Sequence, residues 1–365
     1  MPVANLVLIC LSVFALLCAT IPYLRAEGWW VRGFDFPRLQ FAVFSAAMLV
    51  VDLWLLDFSS NWAWSAIAAS LLALGIELWW ILPFTRLARK EVVDHRPGSE
   101  GESLSVMTAN VLQTNQNRDD FLKIVFDTQP DILVALETDG KWQATLDILE
   151  QEHGYHHTAK CPLDNLYGLL VYSRLSFENT RIQYLVEDGV PSAHTLARLP
   201  SGQAVRMHFI HPAPPSPSEN TESSERDAEL TMVGKSVSHS TVPAIVTGDL
   251  NDVAWSTTTR LFRRASGMRD VRIGRGMFNT FHANYWFLRW PLDHLFCSKH
   301  FELAEMRRLP KYGSDHFSMF VKLVLTQRDS NKEEPLKADE DDRQLMQEKL
   351  EDENVSPNDV HQPDR

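Results

Sequence analysis

The sequence predicts an α/β sandwich of mixed sheets carried on three transmembrane helices. Three observations lead there. The first 84 residues hold long apolar runs with almost no charge. Beyond residue 100, apolar runs of strand length alternate with stretches of helical periodicity. The polar residues able to do chemistry recur where those strand candidates end.

The apolar runs come first. Residues 3–21 are uncharged, residues 39–56 are interrupted only by Asp52, and residues 62–84 only by Glu77. A bilayer core needs about 20 apolar residues per helix, so residues 1–84 read as an anchor of three spans. Tyr23, Trp29, Trp30, Trp62, Trp64, Trp79 and Trp80 fall near their ends, as an interfacial aromatic belt requires. The first run has no basic leader and no small-residue cleavage site, so it is expected to be a retained helix. Asp52 and Glu77 lie nearer span ends than centres and read as interfacial. Arg25, Arg32 and Arg38 follow the first span, and Arg86, Arg89 and Lys90 follow the third. With three spans these segments share a side, so the positive-inside rule places the chain's later residues in the cytoplasm, the protein being integral to the inner or plasma membrane.

Residues 85–102 form a short polar linker. Residues 103–326 carry the expected sandwich, with strands at 104–109, 131–136, 169–172, 205–210, 244–247, 292–297 and 317–324, and helices at 119–128, 141–152, 225–237 and 256–265. Residues 212–225 are a Pro/Ser-rich loop. Residues 327–365 are acidic and nearly devoid of aromatics, which predicts a disordered tail, with a brief helix at 345–350 the one exception. The tail holds thirteen acidic and six basic residues, so it supplies most of the net charge of −12. The sandwich itself is close to neutral and lacks the basic balance of a tight non-specific nucleic-acid binder. Cys10, Cys18, Cys161 and Cys297 show neither a disulfide framework nor metal-ligand spacing.

The chemistry resides in the strand ends. Asn110 closes VMTAN, Glu137 closes DILVALE, and His211 closes RMHFIH. Asp249 and Asn251 stand in GDLN, Asp293 in WPLDH, and Asp315 and His316 in GSDH. Side chains at several strand ends converge on one rim of a sandwich. A hard cation such as Mg²⁺, or Mn²⁺ in its place, takes carboxylate and amide oxygens, which suits Glu137 with Asn110 and also Asp315. Attack of water on a phosphoester needs a base, for which Asp249 is placed, and donors to phosphate oxygens, here Asn251 and His211. His316 needs a carboxylate to fix its tautomer, and Asp293 is the candidate. Singly, each of these residues reads as well as a turn, cap or core residue; the ordered set does not. Tyr285, Trp286 and Arg289, in the aromatic loop of residues 282–289, are candidates for a groove or membrane-facing contact with substrate. Tyr167 and Arg174 read as strand-stabilising.

At this ordered set the sequence resembles the endonuclease/exonuclease/phosphatase superfamily of DNase I-like proteins. The stretches TANVL, DILVALET, YGLLVYSR, MHFIHPAPP, PAIVTGDLND, FNTF, RWPLDHLF and GSDHFSMFVKL carry the resemblance, over residues 104–324. It implies a four-layered α/β sandwich, with Asn110 and Glu137 at a divalent-cation site and Asp249 and Asn251 as the catalytic pair. Asp293 would be the partner of His316, Asp315 a further acidic residue on the cation side, and His211 a histidine of the nuclease and sphingomyelinase branches. The implied enzyme is a phosphoester hydrolase. Its substrate stays open between a membrane-proximal, lipid-derived phosphoester and DNA or RNA; a third reading is a non-catalytic membrane interaction protein.

Overall fold

The computed structural model describes residues 3–326 and 336–364. The chain opens with the apolar helix α1 (Val3–Thr20), a single turn α2 (Trp29–Arg32), then α3 (Arg38–Leu55) and α4 (Asn61–Ile81). Helices α1, α3 and α4 are long and apolar enough to cross a membrane. Small residues, Ala15, Ala19 and Ala73 in one cluster and Ala63 and Ala66 in another, let the three approach closely.

The two acidic residues depart from the interfacial expectation. Asp52 is buried in the bundle and accepts hydrogen bonds of 2.8 Å from the hydroxyls of both Ser12 and Ser70. Glu77 is buried 3.2 Å from the guanidinium of Arg38, which also holds Asp35 at 2.6 Å. A carboxylate facing lipid would be unpaired; turned inward, each finds donors that the neighbouring helix supplies.

The sandwich follows in the order β1 (Glu102–Asn110), α5 (Arg118–Thr128), β2 (Ile132–Leu136), α6 (Gly140–Glu152), β3 (His157–Cys161), β4 (Leu169–Ser173), β5 (Ser176–Gln183), β6 (Ser192–Arg198), β7 (Ala204–Phe209), α7 (Ser224–Ser238), β8 (Ala244–Asp249), α8 (Thr257–Ser266), β9 (Arg269–Asp270), β10 (Asp293–Cys297), β11 (Phe301–Arg308) and β12 (Met319–Leu325). One six-stranded sheet runs β11-β12-β1-β2-β4-β3 and the other β5-β6-β7-β8-β10-β9. In each a single parallel pair lies among antiparallel neighbours, β1 with β2 and β7 with β8. Val106, Ile132, Val134, Met207, Ile245 and Leu295 belong to the core cluster between the sheets. Helices α5 and α6 cover the outer face of the first sheet around Phe121 and Trp142. Helices α7 and α8 cover the second around Leu230, Val233 and Phe262. This is the four-layered α/β sandwich, preceded by three apolar helices.

The predicted linker is not slack. Val92 is part of the core, Glu91 pairs with Arg263 at 2.7 Å and accepts from the Asp270 amide, and the His95 amide donates to Leu303. The tail also differs from the disorder its composition predicts. Residues 327–335 lie outside the described residues, but α9 (Glu340–Asp352) opens on a capping box at Asp339 and packs Leu350 against the α7–α8 layer, where Val360 joins it. Buried Lys349 faces Asp227 at 3.0 Å and Glu27 of the loop after α1. Few apolar residues suffice because a ready-made apolar face receives them and Lys349 meets buried carboxylates.

The bundle is seated on the sandwich. Ala42, Ile81 and Phe84 cluster with Val253, Trp255 and Leu292, and Phe36 meets Trp290 edge-on at 5.6 Å. The Trp255 indole donates to the Asp35 carbonyl at 2.7 Å, and Gln40 donates to that of Phe287 at 2.8 Å.

Candidate active site

The ends of β1, β2 and β8, the start of β10 and the loop before β12 meet at one rim. β8 can end there because residue 248 is glycine. Its φ is +156°, and a Cβ would lie 1.8 Å from the Ile210 carbonyl oxygen. The sheets are tied just beneath by a 2.7 Å hydrogen bond between Thr108 and Thr247.

Asn110 is the hub. Its amide donates to Glu137 at 2.6 Å and to Asp249 at 3.0 Å, while its oxygen accepts from the Leu112 amide. Tyr312 and Ser314 both donate to its carbonyl, each at 2.8 Å, fixing the turn that carries Asp315 and His316. Asp249 accepts from the Asn251 amide at 2.9 Å, and the Asn251 side chain donates to Pro212. Glu137 and Asn251 both hold left-handed backbone, at φ 58° and 49°, which non-glycine residues adopt at a cost and which here aims them at the rim.

His316 sits between two carboxylates. Its Nδ1 is 2.9 Å from Asp293 and its Nε2 is 3.5 Å from Asp249. Burial alone would lower its pKa, but Asp293 and Asp249 outweigh it and push it up to about 10, so the ring is an imidazolium. Asp249 is held below the usual carboxylate range, because the His316 imidazolium and the hydrogen bonds from Asn251 and Asn110 outweigh its burial. His211 behaves oppositely: burial drives it down to about 4, leaving it neutral, and its Nδ1 has no partner among the described residues. Burial raises Glu137 to about 7, with Asp249 and Asp315 adding to the effect.

A cavity of about 260 Å³ opens over these groups, lined by Glu137, His211, Asn251, Asp315 and His316. The structure thus brings together at this rim Asn110, Glu137, His211, Asp249, Asn251, Asp293, Asp315 and His316. Tyr285, Trp286 and Arg289 are not among the lining residues. Tyr285 and Trp286 are exposed, and Arg289 lies 5.1 Å from the Phe317 ring and donates to the Ala283 carbonyl. Several lining residues escape the sequence reading. Tyr167, there assigned to strand packing, lies 5.4 Å from the His211 ring and donates to Glu219, and Pro214 adjoins them from the Pro/Ser-rich loop. Phe36, from the segment between the first two spans, closes another side. No local signal marks Phe36; only the docking of the bundle puts it there.

A family model, that of the endonuclease/exonuclease/phosphatase family, matches residues 107–316. The chain belongs to the endonuclease/exonuclease/phosphatase family. No curated protein matches it in sequence. Among solved structures it resembles the endonuclease/exonuclease/phosphatase of Beutenbergia cavernae DSM 12333, at 19% identity and a TM-score of 0.51, over 62% of this chain and 72% of that one. It is also similar to the human Nocturnin catalytic domain with bound sulfate, at 18% identity and a TM-score of 0.52, over 65% and 98%. It is similar as well to D. rerio TDP2 complexed with a single-strand DNA product, at 18% identity and a TM-score of 0.50, over 60% and 98%. At these identities the likeness speaks for the fold alone.

Proposed function

We propose that this member of the family is a divalent-cation-dependent phosphoester hydrolase whose substrate keeps its apolar part in the bilayer. One observation carries the substrate half: Phe36, in the segment between two helices long and apolar enough to cross a membrane, lines the same cavity as Glu137, His211 and His316. Trp286 and Phe287 are exposed on the loop of residues 282–289, and Phe287 accepts from Gln40 of α3. A soluble substrate needs no apolar wall supplied by such a segment and no exposed aromatics on the neighbouring loop. The positive-inside count supports a cytoplasmic site.

The rim suits a cation. Glu137, Asp249 and Asp315 bring negative charge together under burial, and the raised Glu137 marks a carboxylate short of positive charge. Asn110, Glu137 and Asp315 would hold Mg²⁺ or Mn²⁺, which when bound supplies polarisation of the phosphoryl oxygen and charge neutralisation. Asp249, Asp293 and His316 also lie close enough to one another to hold an ion. An imidazolium between two carboxylates has no free lone pair, however, so that trio serves proton chemistry instead.

The residues divide the work accordingly. Asp249, ionised and steadied by the amides of Asn110 and Asn251, orients water and takes its proton as it attacks phosphorus. His316, kept cationic by Asp293, donates to a phosphoryl oxygen where charge grows. Neutral His211 and the second N–H of the Asn251 amide donate to the others.

The test uses the full chain in vesicles with Mg²⁺ or EDTA, against phospholipid, single-stranded DNA and short RNA, with Asp249→Ala as the blank. Headgroup release that needs both the cation and Asp249 is the expected outcome. Cleavage of nucleic acid with lipid untouched would overturn the substrate assignment, and turnover that persists in the blank would overturn the roles.

A further inference from the structure

A second cavity, of about 360 Å³, lies away from the catalytic rim, where the end of α4 meets the sandwich. Trp79, Trp80, Phe84, Trp255 and Ile273 line it, so its walls are mostly aromatic. Its volume falls within the range of small-molecule sites. Three arginines share the lining, Arg89 after the third span and Arg260 and Arg263 on α8.

These cations are not equivalent. Arg263 is paired with Glu91, and its neighbour Arg264 with Asp342 and Asp339. Arg260 faces no carboxylate within ion-pair distance among the described residues, and its guanidinium rests 5.4 Å from the Trp80 ring. Burial, with Arg264 and Arg263 beside it, outweighs Asp342 and lowers its pKa from the ordinary arginine value. The depth is set independently. Trp80 donates to the Tyr23 hydroxyl at 2.8 Å, and both stand at the ends of apolar spans, where aromatic side chains mark the headgroup level. Trp79 and Leu82, which also line the cavity, are exposed on the bundle surface.

We propose that this cavity binds one anionic phospholipid, its phosphate against Arg260 and its apolar portion along Trp79, Trp80 and Phe84. Charge complementarity selects an anionic headgroup, and the aromatic wall continuous with an exposed span surface selects a lipid over a free anion. The site shares Trp255 with the seat of the bundle on the sandwich, so an occupant would complete that junction.

The test is native mass spectrometry of the full chain released from mixed phosphatidylglycerol and phosphatidylcholine nanodiscs, which needs no turnover and so stands apart from the hydrolase assignment. The wild type should retain one phosphatidylglycerol in preference to phosphatidylcholine. Arg260→Gln should cut that preference about fivefold, the ratio expected for one basic residue at a membrane surface. Ala88→Trp, which fills the cavity, should abolish retention of either lipid, and it decides the matter should Arg260→Gln fail to fold. Equal retention of the two lipids by the wild type, or an unchanged preference in both variants, overturns the proposal.

Discussion

Replacing Asp293 by asparagine keeps the shape of the rim and removes one charge. In the native protein that carboxylate lies 2.9 Å from Nδ1 of His316, and both side chains are buried. At an effective dielectric near 20, a pair about 4 Å apart between charge centres interacts by about 4 kcal/mol. That is about a thousandfold in the protonation equilibrium, enough to bring His316 from about 10 to about 7. The direction follows from the raised value: the charged ring, with the stability it lends, is fully present below the ordinary histidine pKa and is lost as pH rises through the folded value. The assay is hydrolysis measured from pH 6 to 9.5, with ¹⁵N shifts of the imidazole followed in parallel. Wild-type activity should hold across the range, apart from any acid limb. The variant should stay within about tenfold of it at pH 6 and fall a further thirtyfold or so by pH 8.5. Parallel profiles for the two proteins, or an unmoved His316 titration, would refute the idea that Asp293 acts by keeping that ring charged.

Three further outcomes follow from other parts of the molecule. Glu137→Gln should weaken Mg²⁺ activation about 10- to 100-fold, by analogy with lost supporting contacts at metal sites, and wild-type activation should weaken as pH falls below the Glu137 value of about 7, because proton and cation compete; a cation requirement unchanged in the variant would contradict its role. Asp52→Ala leaves two serine hydroxyls without their acceptor and should destabilise the bundle by about 1 kcal/mol, read as a lower melting temperature in detergent with hydrolysis unchanged. Lys349→Met removes a cation from Glu27 and Asp227, which keep Ser224 and Arg226 respectively, and should cost about 1–3 kcal/mol, read by denaturant unfolding of the reconstituted chain; a neutral result would show that α9 is not held through that lysine.

What could be read in the sequence divides along physical lines. Strands buried on both faces, such as Ile132–Leu136 and Leu169–Ser173, announce themselves as unbroken apolar runs, and the helices by their period. Half-exposed strands do not: Ser176–Gln183 is mostly polar and Phe301–Arg308 half so, and their pairing is decided by the neighbouring strand. The convergence of Asn110, Glu137, Asp249, Asp293 and His316 was legible because each stands at or near a strand end and the order of the set is specific. Phe36 and Tyr167 were not, since their place in the cavity depends on contacts distant in sequence. Asp52 and Glu77 were misread for a related reason. Hydropathy gives depth along a helix, but which way a carboxylate faces depends on Ser12, Ser70 and Arg38 of its neighbours. The tail shows composition overruled by a docking face that local sequence does not reveal.

The way residues 85–102 are stitched along the sandwich alters what a truncated protein would be. Cutting ahead of Glu91 would leave Trp255 and Leu292 facing water where Phe84 and Ala42 had covered them, and the catalytic cavity would lose Phe36. Such a fragment would be an enzyme with a missing wall and a sticky side rather than one released from its leash. Solubility and turnover measured on it would describe a different object from the full chain.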